Sequence, residues 1–371
     1  MKALEKMAEA FDRRHDYAGD WKARHGGKVM GYFCTYVPEE ILYAAGALPV
    51  RVMGVRQPED VTEPHIQSWW CPHCRSCLAD ALTGSFDYVD GIVIATTCSH
   101  IYQAFNSWKI NLSPSFAHKF WMPMNIRNSS APAFVEGQFA GLRSAVEDWL
   151  GHPITDDSLR DSIEVYNTNR RLMREVYELR KTDRPPLTGA QALEMTLSSQ
   201  VMDKREHNEL LAEALGDLRG VTGAETGTRL MILGSEIDDV ELVRLIESQG
   251  ATVVTDELCT GSRYFWGQSM NGNEPLKAIT RWYVDRPTTC PQKDIVERRR
   301  LPQITMLARE YRAQGAIFLL EKFCEPHGYD LPTITTMFEE MGIPMLLLEV
   351  DLTTPAGQFR TRIEAFLEMM P

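Results

Sequence analysis

The chain has 371 residues, 44% of them hydrophobic and 24% charged, and its 39 basic against 51 acidic side chains give a net charge of -12. A length beyond what one ordinary core supports predicts two α/β domains, and the acidic balance argues against a nucleic-acid partner or an anionic membrane surface. No run approaches the roughly 18 apolar residues of a membrane span. Residues 1–20 read as a charged amphipathic helix without the apolar stretch of an export signal, so a cytoplasmic location is expected. Eight cysteines in such a chain point to metal or redox chemistry rather than to a disulfide frame.

In chain order, an N-terminal helix is assigned to residues 1–28, and the aromatic, β-branched stretch 28–37 reads as a strand. Pro38, Glu39 and Glu40 then start a helix, because proline in the first turn forfeits no hydrogen bond and acids suit the positive end of the dipole. Gly46 stops that helix, and residues 48–53 form a second strand. Cys34, between the two, reads as a small buried hydrophobe. Residues 78–86 read as helix and turn, and 88–95 as a strand of the kind covered on both faces in a parallel sheet. The stretch 107–124 carries Trp108, Phe116, His118, Phe120 and Trp121, and reads either as a core strand and loop or as the lining of an apolar pocket.

Helices are expected over 133–150 and 155–180, the second with Asp156 and Asp157 at its start and Arg180 and Lys181 at its end, in keeping with the dipole. Pro185 and Pro186 break the pattern, and helix resumes over 189–218. Residues 151–220 are thus read as a helical connector between a first α/β domain, 29–150, and a second, 221–371. The second opens as a Rossmann-like unit, with strand 229–234, helix 238–249 and strand 251–255. A helix over 293–300, strands over 316–320 and 344–349, and a terminal helix over 358–369 complete it. Only Gly234 occupies the first turn and no phosphate loop follows, so neither NAD nor direct ATP binding is expected.

Four cysteines fall between Trp69 and His100: Cys71, Cys74, Cys77 and Cys98. Cys98 closes a strand, at the carboxyl end where ligands sit in open parallel sheets, and Cys324 closes another. The Cys-x-x-Cys-x-x-Cys run resembles a local ferredoxin segment but lacks its fourth member. A zinc site would need a second Cys-x-x-Cys pair, and a redox pair would need Cys74 and Cys77 to open a helix after a strand. A fourth reading joins one cysteine of the run with Cys98 and Cys324, three thiolates for a [4Fe-4S] cluster that keeps one iron open. Spacing alone does not choose among these.

The motifs choose further. Gly31 to Val50 with Pro38, Glu39 and Glu40, Cys71 four residues before Arg75 and Ser76, Thr97 before Cys98, Phe323, Cys324 and Pro326, and the terminal 357–368 segment together resemble the benzoyl-CoA reductase and 2-hydroxyacyl-CoA dehydratase family. The resemblance covers nearly the whole chain. It implies an α/β fold of two Rossmann/flavodoxin-like parallel-sheet domains joined by a helical connector, with a [4Fe-4S] cluster on Cys71, Cys98 and Cys324. Cys74 and Cys77 depart from the minimal pattern. Cys74 is therefore a further candidate ligand, since a larger double-cubane cluster, present in relatives, needs extra thiolates.

What the resemblance implies for chemistry is a one-electron reduction of an acyl-CoA thioester to a ketyl radical anion, the open iron serving as Lewis acid. A homologous core subunit, an ATP-hydrolysing iron-sulfur activator and ferredoxin as upstream donor are the implied partners, so that ATP acts only through a partner. Ring reduction, as in a benzoyl-CoA reductase, is favoured on the overall pattern and on the aromatic stretch. Loss of water, as in a 2-hydroxyacyl-CoA dehydratase, and a cluster-carrying electron-transfer protein without acyl-CoA substrate are the alternatives. Glu39 and Glu40 match the family's acid pair and are read as substrate or acid/base groups, or else as a helix-start charge pair. His100 and His327 are candidate proton donors, against a reading as ordinary solvated histidines. Arg263 and Tyr264 are read either as reaching a CoA phosphate or as a surface ion pair.

Overall fold

The computed structural model describes residues 2–54, 61–267, 270–352 and 355–370. Two helices open it, α1 (Lys2–Asp12) and α2 (Arg14–His25), so the single N-terminal helix expected from the sequence is broken at Arg13. The first sheet follows, with β1 (Val29–Phe33), α3 (Glu39–Ala44), β2 (Leu48–Arg51), α4 (Pro72–Leu82), β3 (Gly91–Thr96), α5 (Ser99–Leu112) and β4 (Phe116–Trp121). Four long or medium helices come next, α6 (Ala131–Leu150), α7 (Asp156–Leu179), α8 (Gly189–Ser198) and α9 (Lys204–Leu218). The second sheet is built from β5 (Thr228–Gly234), α10 (Val240–Ser248), β6 (Ala251–Glu257), α11 (Ser262–Phe265), α12 (Pro275–Asp285), α13 (Arg300–Glu310), β7 (Gly315–Glu321), α14 (Glu325–Glu340), β8 (Met345–Val350) and α15 (Ala356–Glu368).

Both sheets are parallel throughout, in the orders β2-β1-β3-β4 and β6-β5-β7-β8. The two orders are the same, and they are the flavodoxin-like order. Their strands are apolar on both faces because helices cover both. In the second sheet Met231, Leu233, Ala316 and Phe318 pack into one core, and the alternate residues Leu230, Ile232, Ile317 and Leu319 into the other. In the first sheet Met30, Tyr32, Val93 and Ala95 face one way, and Phe33, Ile92 and Ile94 the other. The side-chain period of 2 along a strand produces this division.

The helices tie the two sheets together. Along α7, Leu159 and Ile163 belong to the core under the first sheet, while Leu172, Met173, Val176 and Tyr177 belong to that of the second. Although α12 follows β6 in sequence, its Ala278, Ile279, Trp282 and Tyr283 pack in the first sheet's core. The turn after β5 requires glycine: Gly234 has φ 136°, and a Cβ there would sit 2.0 Å from the Leu319 carbonyl oxygen. Among the described residues no helix is long and apolar enough to cross a membrane.

Three further sequence expectations change or resolve. The helix expected from residue 78 starts at Pro72, capped by Cys71, so Cys74 and Cys77 lie on it. Residues 293–300 are not a helix: a 3-10 turn spans Pro291–Lys293 and α13 begins only at Arg300. The stretch 107–124 is the end of α5, a turn and β4, structural elements rather than a pocket lining. Trp108 is buried edge-on against Phe33, Phe116 stacks on Trp149, and Trp121 and Met124 are half exposed.

Buried polar groups set one pH dependence. His207 is fully buried; its Nδ1 faces the Asn169 amide at 2.9 Å, and its Nε2 the Met195 carbonyl at 3.0 Å. Burial, then the nearby Lys204 charge, lowers its pKa from 6.5 to about 3. The unfolded chain therefore takes up the proton first, and the stability present above pH 6.5 is lost as pH falls toward 3, by up to about 1.4 kcal/mol per pH unit. Urea unfolding between pH 6.5 and 4.5 should show this slope, and His207→Gln should flatten it by about one proton.

Candidate functional site

Parallel sheets present ligands at the carboxyl ends of their strands, and here the two sheets turn those ends toward one cavity of about 80 Å³. Seven of the eight cysteines line it: Cys34, Cys71, Cys74, Cys98, Cys259, Cys290 and Cys324. All are free thiols. Cys77, the eighth, turns away, its sulfur 3.6 Å from the Val52 carbonyl oxygen and 3.7 Å from His73 Nε2.

Each of the three cysteines expected as ligands caps the N-terminus of a helix: Cys71 that of α4, Cys98 that of α5 and Cys324 that of α14. Three positive dipole ends therefore meet at the cavity, which favours negative charge on sulfur or on a bound anionic group. The α5 and α14 starts are tied directly, since the Ser99 hydroxyl donates to Glu325 Oε2 at 3.1 Å. Arg75 anchors α4 to the segment after β8 through an ion pair with Asp351 at 2.9 Å.

The thiols act on one another. Burial is the main reason that the Cys98 thiol lies well above its ordinary range, and the nearby Cys324 and Cys71 add to it. The Cys324 thiol is raised by burial and then by Cys71. Cys71 goes the other way: a hydrogen bond from Cys74 outweighs burial, and with His73 and the first α4 N–H groups it lowers the pKa to about 7. A thiolate is the form that binds metal. Among the described residues no group of three or more His, Cys, Asp or Glu converges on a single-ion site. The cysteines instead surround a space, and seven thiols are a donor set that fits an iron-sulfur cluster held between the sheets.

The other sequence candidates are distributed unevenly. His100 lines the cavity, and its Nδ1 accepts the Cys71 backbone N–H at 2.8 Å, leaving the ring proton on Nε2; burial lowers its pKa. His327 is 2% exposed, and burial, then Arg263 and Arg300, holds its pKa well below the ordinary value. Arg263 donates to His327 Nε2 at 3.2 Å, which places the ring proton on Nδ1. Neither imidazole is an ordinary solvated one. Arg263 is no surface ion pair either: it is 2% exposed and bound to Glu257 at 3.3 Å.

Glu39 lies outside the cavity lining. Its Oε2 accepts from the hydroxyls of Tyr166 at 3.3 Å and Tyr264 at 3.0 Å, with Lys204 at 3.9 Å, and burial raises its pKa. Glu40 is buried against Arg170 and the Tyr283 hydroxyl. The aromatic stretch 107–124 contributes nothing to the cavity.

Sequence reasoning missed Cys34, Cys259 and Cys290 as site residues. Cys34 is half-buried and packs against the two cores of the first sheet, as expected of a small hydrophobe, but it also lines the cavity, adopts φ 75° and accepts a hydrogen bond from Thr97 at 3.2 Å. Cys34 and Cys259 follow β1 and β6 as Cys98 follows β3, so strand-end position was the signal available for both. Cys290 lies on the segment after α12, where no strand marks it.

A family model described as "2-hydroxyglutaryl-CoA dehydratase, D-component" matches residues 34–370. The chain is similar to the (R)-phenyllactyl-CoA dehydratase beta subunit of Clostridium sporogenes, 27% identical over 347 residues, 93% of this chain and 92% of the relative. It is similar to one of the subunits of the benzoyl-CoA reductase of Thauera aromatica, 28% identical over 336 residues, 89% and 87% of the two chains. The beta subunit of (R)-2-hydroxyglutaryl-CoA dehydratase from Acidaminococcus fermentans matches at 25% over 354 residues, 93% of each chain.

Proposed function

The chain belongs to the 2-hydroxyglutaryl-CoA dehydratase D-component family, and from that premise we propose that it is the iron-sulfur subunit of a complex that delivers single electrons to an acyl-CoA thioester. The observation that carries the reading is the cavity shared by both sheets, with seven thiols in its wall and Cys71, Cys98 and Cys324 each at a helix N-terminus. Those three would hold a [4Fe-4S] cluster with one iron free of protein thiolate. Bound there, it would supply the low-potential electron that converts a thioester carbonyl to a ketyl radical anion.

The chain's own residues have defined parts. The N-termini of α4, α5 and α14 stabilise negative charge at the cavity. Arg263 fixes the tautomer of His327, and the Cys71 N–H fixes that of His100, so each presents one N–H as candidate proton donor. Glu39 enters as a support where α3, α7, α9 and α11 meet. A homologous core subunit, an ATP-hydrolysing iron-sulfur activator and ferredoxin as upstream donor complete the proposed assembly, in the cytoplasm.

The preference for benzoyl-CoA reduction draws on an aromatic stretch that packs elsewhere, and relatives of both reaction classes match to similar degrees. The step proposed is therefore the one that ring reduction and loss of the α-hydroxyl share. A second reading is favoured by the thiol count. Seven cysteines exceed the three that one cubane would use here and suit a double-cubane cluster in an electron-transfer protein without acyl-CoA substrate. Electron paramagnetic resonance of the reduced protein, with and without benzoyl-CoA or a 2-hydroxyacyl-CoA, separates the two, alongside turnover assays with ATP, activator and reductant. Substrate-dependent spectra and turnover of either ester support the first reading. Unchanged spectra with no turnover of either would sink it in favour of the carrier.

A further inference from the structure

A cavity of about 80 Å³ is too small for a CoA ester, since sites for drug-sized ligands run from about 300 to 1,000 Å³. A second concavity of about 650 Å³ adjoins it, and Arg286 lines both. Three arginines, Arg174, Arg281 and Arg286, line this groove. Among the described residues its one carboxylate, Asp285, is 64% exposed and paired with Arg127 at 3.6 Å, so the wall keeps an excess of positive charge.

Arg286 is the informative side chain. It is 4% exposed, and its guanidinium lies over the rings of Tyr36, at 4.7 Å, and Trp282, at 5.1 Å. Its Nε and Nη1 have no hydrogen-bond partner among the described residues. Buried guanidinium N–H groups left unmatched are unfavourable, and ligand oxygens in the groove would supply the acceptors that the described residues do not. Arginine forks suit phosphate oxygens in particular. Beside them the half-buried Trp266 lines the same groove, and an indole of this kind stacks well on a flat base. Arg170 already lies over Trp282 at 3.9 Å, which leaves Trp266 as the platform.

We propose that this groove binds the 3′-phospho-ADP end of coenzyme A, its phosphates on Arg174, Arg281 and Arg286 and its adenine on Trp266, with the pantetheine arm passing Arg286 toward the cysteines. The proposal rests on the acyl-CoA reading above and assigns that substrate's handle to named residues.

The test is calorimetry of the full chain with CoA, 3′,5′-ADP and ATP as probes, with iron content measured on the same samples. CoA and 3′,5′-ADP should bind, ATP more weakly, and Arg281→Gln and Arg174→Gln should each weaken CoA about tenfold, as expected for loss of a charged hydrogen bond. Arg281 is exposed, so its variant tests the groove without disturbing a core. Indole quenching by CoA should disappear in Trp266→Leu. Undiminished affinity in both arginine variants, or ATP binding as tight as CoA, overturns the assignment. The two readings fail separately: iron-loaded protein that binds no CoA removes the groove alone, and iron-free protein that binds CoA through Arg281 removes the cluster alone.

Discussion

Cys98→Ala and Cys324→Ala should each abolish the brown absorption of the anaerobically purified chain and lower its iron content, whereas Cys77→Ala should keep both. The contrast follows from position rather than residue type. Cys98 and Cys324 sit after the third strand of their sheets, each capping the helix that leaves it, with Ser99 and Glu325 joining the two turns. Removing either takes one of the two thiols that bridge the sheets. Cys77 is as buried as any but points at the Val52 carbonyl, so its loss leaves a small void and costs about 1 kcal/mol of packing. Retention of iron by the double variant Cys98→Ala/Cys324→Ala would refute the ligand assignment.

The largest expected effect on stability is at Glu257. This carboxylate is fully buried at the end of β6 and pairs with Arg300 at 2.6 Å and Arg263 at 3.3 Å, while Arg300 also binds Asp330 on α14. Burial alone would depress the Arg300 charge, and Glu257 followed by Asp330 more than restores it. Glu257→Ala leaves the buried Arg300 with Asp330 and takes from the buried Arg263 the carboxylate it pairs with, a loss that costs about 3–5 kcal/mol. It also releases Arg263, which orients His327 in the cavity wall. A denaturation midpoint within error of the parent would show that the network contributes nothing. Glu257→Gln, which keeps the shape and loses the charge, should fall between.

Much of this architecture is readable in the residues, and the failures have physical causes. The strands are runs of Val, Ile and Leu bounded by glycine and proline, so both βαβ openings and the strands ending near Cys98 and Cys324 stand out. Two helices hide behind strand-like composition. In α5, Ile101, Ala104, Phe105 and Trp108 are buried at helical spacing, yet aromatic and β-branched content makes Trp108 look like part of an apolar lining. In α14, Pro332 lies inside the helix and Gly328 in its second turn, which masks its period. The reverse error falls over 293–300, where charged residues imitate a helix but Asp294 instead accepts the Arg299 N–H.

The site is legible in its skeleton and not in its extent. Strand ends mark Cys98 and Cys324, while Cys71 is marked only by the resemblance, four residues before Arg75 and Ser76, since the sequence pattern does not show the helix start at Pro72. Strand ends also mark Cys34 and Cys259, but Cys290 has no such mark, and that all three meet the others in one cavity depends on the second sheet facing the first, a tertiary relation that no local pattern encodes. The same relation takes Glu39 out of the cavity: its place at a helix start is readable, but the partners that claim its carboxylate come from α7, α9 and α11.

The central claim, that the cavity between the sheets is an iron-sulfur site, is tested most directly by the visible spectrum and the iron and sulfide content of anaerobically purified chain. Brown protein with roughly four iron atoms per chain is expected for one cubane, or about twice that for the larger cluster. Colourless protein containing zinc, or no metal after reconstitution with iron and sulfide, would contradict it.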